Sequence, residues 1–130
     1  MTLDLKNSTA DYMLDQLYDT KFPAGSHVRI RTGSPSGAEN ADAGTVLADI
    51  VTPAGPWNAA AAGSKTKNGA WTVSATGTGT AGHFRTSDAA GVECEEGTVT
   101  ATGGGGDMTL DNTSINSGQQ VTINTYTHTA

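Results

Sequence analysis

The sequence predicts a mainly β protein, an antiparallel β-sandwich or jelly-roll-like fold with one short N-terminal α-helix. Three observations lead there. Side chains alternate between apolar and polar in short runs, as at HVRIRT (27–32), WTVSA (71–75) and QVTINTY (120–126), which is the period of a strand with one buried face. Clusters of Gly, Pro, Asn and Ser separate the runs, and no strand–helix alternation of the kind that builds a parallel sheet is present. Aromatic residues make up only 5% of the 130 residues and charged residues 15%, while Thr, Ser, Gly, Ala and Asn are abundant. That composition suits short strands and polar turns over a thin core. The length suits a single domain, with residues 1–25 as an N-terminal arm and helix and 26–130 as the sandwich.

The helical segment comes first. Ala10, Met13, Leu14, Leu17 and Tyr18 fall at i, i+3, i+4, i+7 and i+8, one stripe of an amphipathic helix. Ser8 is the expected N-cap, Asp11 an acid for the first turn, and Pro23 and Gly25 the stop. The stripe serves either to cover one end or face of the sheets or to dock on a partner.

The run 27–32 points Val28 and Ile30 inward, and Gly33 to Gly37 breaks it. Residues 45–52, TVLADIVT, are almost continuously apolar and read as a central strand buried on both faces. Residues 53–69 form the largest irregular segment, with a helical turn over the four alanines cut by Gly63. Trp57 there either plugs a core edge or makes an exposed contact. After the Asn68-Gly69 turn, Trp71, Val73 and Ala75 share one face.

The TGTGTAG tract (76–82) reads as flexible, and a short strand around His83, Phe84 and Arg85 follows it with Phe84 inward. Residues 87–91 read as a hairpin loop and 92–100 as its return strand. In that strand Val92 and Cys94 share one face and Glu93 and Glu95 the other, with Cys94 expected as a small buried side chain. The four glycines 103–106 read as a flexible connection or turn. Residues 107–129 form two extended runs around Asn116-Ser117-Gly118, with Leu110, Ile115, Val121 and Ile123 in the core. In the final run Val121, Ile123 and Thr125 point one way, and Thr122, Asn124 and Tyr126 the other.

Charge and motifs narrow the function. The net charge is −6 with only seven Lys and Arg, scattered along the chain, so the clustered basic footprint that nucleic acid needs is missing. No apolar run is long enough to span a bilayer, and the N-terminus lacks the pattern of a signal peptide. Neither nucleic acid nor membrane is therefore expected as a partner. Cys94 is the single cysteine. The glycine run lacks the Lys-Ser/Thr of a phosphate loop, and no Gly-x-Ser-x-Gly elbow occurs. Glu93, Glu95 and Glu96 form the densest acidic cluster, read as a solvated face, as partners of Arg29, Arg31 or Arg85, or as a hard-cation site. His27, His83 and His128 lie far apart. No catalytic residue, cofactor or metal site is assigned, and a small hydrolase using Glu93 or Glu95 is the least favoured reading.

Three quoted stretches carry a resemblance: HVRIRTGSP after a short helix, GHFRTSDAAG with its return strand, and the ending GDMTLDNTSINSGQQVTINTYTHT. Together they resemble small all-β head-decoration, or capsid-cement, proteins of tailed bacteriophages. The resemblance implies a virion protein, made in the host cytoplasm. It would bind the outside of the capsid over the major capsid protein as a homo-oligomer, often a trimer, and reinforce the shell without doing chemistry. Met13, Leu14, Leu17, Tyr18 and Trp57 are the interface candidates. The alternative is a phage tail-fibre or receptor- or carbohydrate-binding module, with Trp57 or Trp71 stacking on sugars.

Overall fold

In a computed structural model, which describes residues 4–92 and 94–130, one α-helix precedes nine strands. These are α1 (Asn7–Lys21), β1 (His27–Thr32), β2 (Val46–Val51), β3 (Ser64–Thr66), β4 (Trp71–Ser74), β5 (Gly79–Ser87), β6 (Cys94–Ala101), β7 (Met108–Leu110), β8 (Ser114–Ile115) and β9 (Gln120–Thr129). The strands form one curled sheet in the order β2-β1-β5-β6-β7-β9-β3, with β4 also on β9 and β8 on β5. The fold is mainly β and sandwich-like, as its sequence predicts. The curl brings the far edges together, because the amides of Thr76 and Gly77, just past β4, donate to the Leu47 carbonyl of β2 at 2.9 and 3.2 Å.

That contact corrects the reading of 45–52. β2 is an edge strand, yet Leu47, Ala48 and Ile50 are buried. The chain after β4 supplies its second neighbour, so an edge strand carries the apolar pattern of a central one.

α1 starts two residues earlier than a Ser8 cap implies. Its N-cap position is Lys6, without a side-chain capping bond, so Ser8 is not the cap. Ala10, Leu14 and Tyr18 face the core, Leu17 is partly buried against it, and Met13 is 47% exposed. The acidic face instead holds the segment before and within β3. Asp11 Oδ1 accepts the Gly63 amide at 2.7 Å, and Asp15 Oδ1 accepts the Ala60 amide at 2.8 Å and Lys65 Nζ at 2.6 Å. Lys65 is 1% exposed, and these bonds with Asp15 and Asp19 satisfy its ammonium group.

Residues 57–67 are thereby ordered as a small hairpin, where a helical turn was expected. Ala62 and Gly63 have φ of 52° and 79°, and Ala61 and Ser64 exchange both backbone hydrogen bonds across them, the pattern of a primed two-residue turn.

Six of the seven aromatic residues are buried, Tyr12 being the exception. Trp57 lies at their centre, with ring centroids 4.6 Å from Tyr18, 5.2 Å from Trp71 and 5.1 Å from Tyr126. Its indole N–H donates to the Phe22 carbonyl at 2.8 Å. A chain poor in large side chains thus concentrates them in one tilted and edge-on cluster, where the geometry adds to the burial itself.

Two features depart from a purely antiparallel sandwich. The thin tract 76–82 is not a flexible break, since β5 starts at Gly79 and runs for nine residues. β6 and β7 pair in parallel, Val99 beside Met108, across a six-residue connection that holds the four-glycine run. That connection is a tight ordered turn: the amides of Gly104 and Gly106 donate to the Ala101 carbonyl (2.9 Å) and Thr100 Oγ1 (3.0 Å). A side chain at Gly104 would meet Thr100 Cβ at 2.7 Å.

Candidate functional site

The site begins with a bulge. β7 pairs Thr109 with Thr125 and Leu110 with Ile123, so β9 carries one extra residue at Asn124. The extra residue reverses the parity of everything after it. Val121 and Ile123 point inward as expected, but Thr125 is exposed and Tyr126 is buried. Tyr126 and His128 then share the core side, the opposite of the face assigned to Tyr126 from simple alternation.

The parity of β6 is also the reverse of the expectation. Val99 is buried, so counting back in twos places Gly97 and Glu95 on the core side. A carboxylate there meets the helix and β9. The Tyr18 hydroxyl lies 2.6 Å from both oxygens of Glu95, and the Tyr126 hydroxyl donates to Glu95 Oε1. Thr86, directly across from Glu95 on β5, lies with Oγ1 2.6 Å from the Tyr126 hydroxyl. His128 Nδ1 is 2.7 Å from the Tyr18 hydroxyl and 3.5 Å from Glu95 Oε2.

The protons can be placed by counting donors. Each phenol has one hydrogen and gives it to Glu95, so Tyr126 accepts from Thr86 and Tyr18 accepts from His128 Nδ1–H. Burial, reinforced by the charge of Glu95, raises both phenol pKa values, which keeps them as donors. The adjacent Glu95 carboxylate raises the pKa of His128 against an opposing contribution from burial. The result is a polar knot joining α1, β5, β6 and β9 beside the aromatic cluster.

The knot forms one wall of a cavity of about 610 Å³ between β6 and β9, with Phe84 and Asp107 also lining it. Its other carboxylates are engaged. Glu96, facing the opposite side of β6, lies 3.0 Å from Arg85 Nη2. Asp107 Oδ2 accepts the Thr98 amide at 3.0 Å and its hydroxyl at 3.2 Å.

The far face of the sheet carries a second polar layer under loop 33–44. Arg85 is held by Glu96, Asp42 and the carbonyls of Gly37 and Asn40, and His83 Nδ1 by the Gly33 carbonyl. The tight approach of this loop requires Gly82, whose Cβ would lie 2.2 Å from the Gly33 oxygen.

The sequence-level candidates are distributed as follows. Leu14, Tyr18 and Trp57 belong to the chain's own core, which corrects their place among interface residues, because a side chain consumed by the core has no surface to offer a partner. Leu17 is half-buried, and Met13 remains accessible beside Tyr12, which is 69% exposed. Trp71, the other stacking candidate, is also buried. Glu93 lies outside the described residues. Cys94 is half-buried and donates towards the Ala38 carbonyl at 3.5 Å, so it faces loop 33–44 and not the core. The histidines do not converge: His27 pairs with Asp49, His83 lies under the loop, and His128 joins the knot. Among the described residues no group of three or more His, Cys, Asp or Glu is placed to hold a metal ion, and no helix is long and apolar enough to cross a membrane.

Sequence reasoning missed the pairing of Glu95 with Tyr18, Tyr126 and His128. A signal was available in β6, since alternation read backwards from Val99 puts Glu95 inward. None was available in β9, where nothing local marks Asn124 as an extra residue. Comparison with protein-family models, curated proteins and solved structures gives no match.

Proposed function

We propose that this chain is a non-enzymatic structural protein of a phage virion that binds the outer surface of the capsid and stabilises it. The observation that carries the reading, beside the resemblance of its sequence segments, is how the charged groups around the cavity are used. Glu95, Glu96, Asp107 and His128 are each engaged by neighbours in the same chain, which suits a rigid binding body. Of the exposed large apolar side chains among the described residues, Leu5, Tyr12 and Met13 lie in the N-terminal segment and the first half of α1, while Val51 and Val92 lie elsewhere; the first three are the proposed contacts with the major capsid protein. A homo-oligomer, such as a trimer, at a symmetry point would multiply a modest contact through simultaneous engagement. Binding that favours assembled lattice over free subunits stabilises the shell by mass action. The tail-fibre or sugar-binding alternative loses its stacking candidates with the burial of Trp57 and Trp71.

The test is co-sedimentation of the purified protein with heads that lack it, followed by thermal rupture of those heads. The proposal expects saturable binding and a raised rupture temperature. Free protein left in the supernatant at every concentration would overturn it.

A further inference from the structure

β6 and β9 flank a lane one strand wide, and β7 fills only its lower part. β7 is three residues long, pairing with Val99–Ala101 on one side and with Ile123–Tyr126 on the other. Two strands with a third between them stand roughly 9.6 Å apart, twice the usual strand spacing. Above Asp107 the lane continues without a strand, and this is the cavity of about 610 Å³.

Both rims present unpaired ladder positions. The Thr98 amide points into the lane, where Asp107 Oδ2 accepts it. Backbone groups alternate sides along a strand, so the N–H and C=O of Glu96 and Cys94 point the same way. On β9 the Thr127 amide also points into the lane, to the Asp107 carbonyl. The Tyr126 carbonyl and the Ala130 amide point away, to Lys67 and Gly63. The Thr127 carbonyl and both backbone groups of Thr129 therefore face the lane. Asp107 closes the lower end, bridging the rims with its side chain on one and its carbonyl on the other.

We propose that the lane receives an extended segment of another polypeptide, which adds as a strand between β6 and β9 in line with β7 and carries Lys or Arg at an inward-facing position. Backbone ladders on two sides supply affinity, and the pocket for alternate side chains supplies selection. The charge of the lining selects the occupant: it holds Glu95, Glu96 and Asp107 with His128 and no Lys or Arg. A basic side chain reaching the wall near Glu95 meets a partly desolvated carboxylate, where a charge-assisted bond is strong. This proposal is independent of the capsid reading, since any chain with such a segment would serve.

The test uses the whole protein and an alternating threonine–lysine heptapeptide, with a threonine–glutamate heptapeptide as control. Titration is followed by fluorescence anisotropy, and amide hydrogen exchange is measured with and without peptide. The expected result is saturable binding of the lysine peptide alone, with slowed exchange at Cys94, Glu96 and Thr129. Thr129→Pro removes one lane-facing donor while leaving the β3 ladder, and should weaken binding by about tenfold, the value of one good hydrogen bond. Lack of saturable binding, equal binding of the two peptides, or protection elsewhere on the molecule would overturn the proposal. So would protection of those three amides by self-association without peptide. The exchange measurement on the unaltered chain decides the matter even if Thr129→Pro fails to fold.

Discussion

The hydroxyl of Tyr126 donates to Glu95 from a strand that is not the neighbour of β6. The two residues meet across an open lane, and Tyr18 of α1 reaches the same carboxylate at 2.6 Å. Glu95 thus ties three elements that do not hydrogen-bond to one another through their backbones. An open gap in a sheet is a weak point, and this knot braces it.

Glu95→Ala should destabilise the protein by about 3 kcal/mol, because two buried phenols lose their acceptor together. Glu95→Gln retains one amide oxygen and should cost less. In a double-mutant cycle by urea unfolding, Tyr126→Phe should cost far less in the Glu95→Ala background than in the parent. Additive effects would show that the knot does not act as a unit.

Stability should fall as pH rises through and above neutrality. The folded pKa of His128 is raised above the reference value of 6.5 by the adjacent Glu95 carboxylate. Its contribution is therefore complete below that unfolded value and is lost as pH climbs through the higher folded value. The ring is 40% exposed, so solvent screening keeps the change small. Denaturation midpoints measured between about pH 5.5 and 9, a window spanning the histidine range, should show the decline, and His128→Gln should flatten it.

Asp15→Ala should cost about 3 kcal/mol, since it strands a buried ammonium group. Lys65 keeps only the Asp19 carboxylate, 3.3 Å away and 61% exposed. Lys65→Met removes the buried charge and leaves Asp15 its bond to the Ala60 amide, so its melting temperature should lie well above that of Asp15→Ala. Equal losses in the two variants would contradict this account of the contact between α1 and β3.

Gly97→Ala should destabilise by about 1–3 kcal/mol through overpacking. A Cβ at this position would lie 2.6 Å from Phe84 Cε1 and 3.0 Å from Asp107 Oδ2, and Gly97 is paired directly with Phe84 on β5. Thermal unfolding checks it, with Gly91→Ala, where a Cβ meets nothing within 4 Å, as the comparison for a glycine constrained by φ alone.

Much of the fold is legible in the sequence, because period two is enforced wherever one face of a strand is buried. β1 and β4 follow the alternation of their residues, and Leu110, Ile115, Val121 and Ile123 are all buried as that pattern requires. What escapes it is set by tertiary contacts. The Ala62-Gly63 turn contains no Asn or Asp to announce positive φ, and it is held by Asp11 and Asp15 of a distant helix. β2 resembles a central strand because Thr76 and Gly77 cover its rim. The site itself depends on Asn124, where a single extra residue turns Tyr126 and His128 inward, and only the pairing with β7 reveals it.

The surface proposed to meet the capsid can be tested without disturbing the knot. Tyr12→Asp changes an exposed side chain on α1, so it should leave the melting temperature almost unchanged while abolishing binding to heads. Unaltered binding would move the contact elsewhere on the protein.

The most direct measurement is an image reconstruction of heads incubated with saturating protein. The account predicts added density on the outer surface at a symmetry point, with the N-terminal segment and α1 against the lattice. Heads that stay bare, or density confined to the tail, would contradict it.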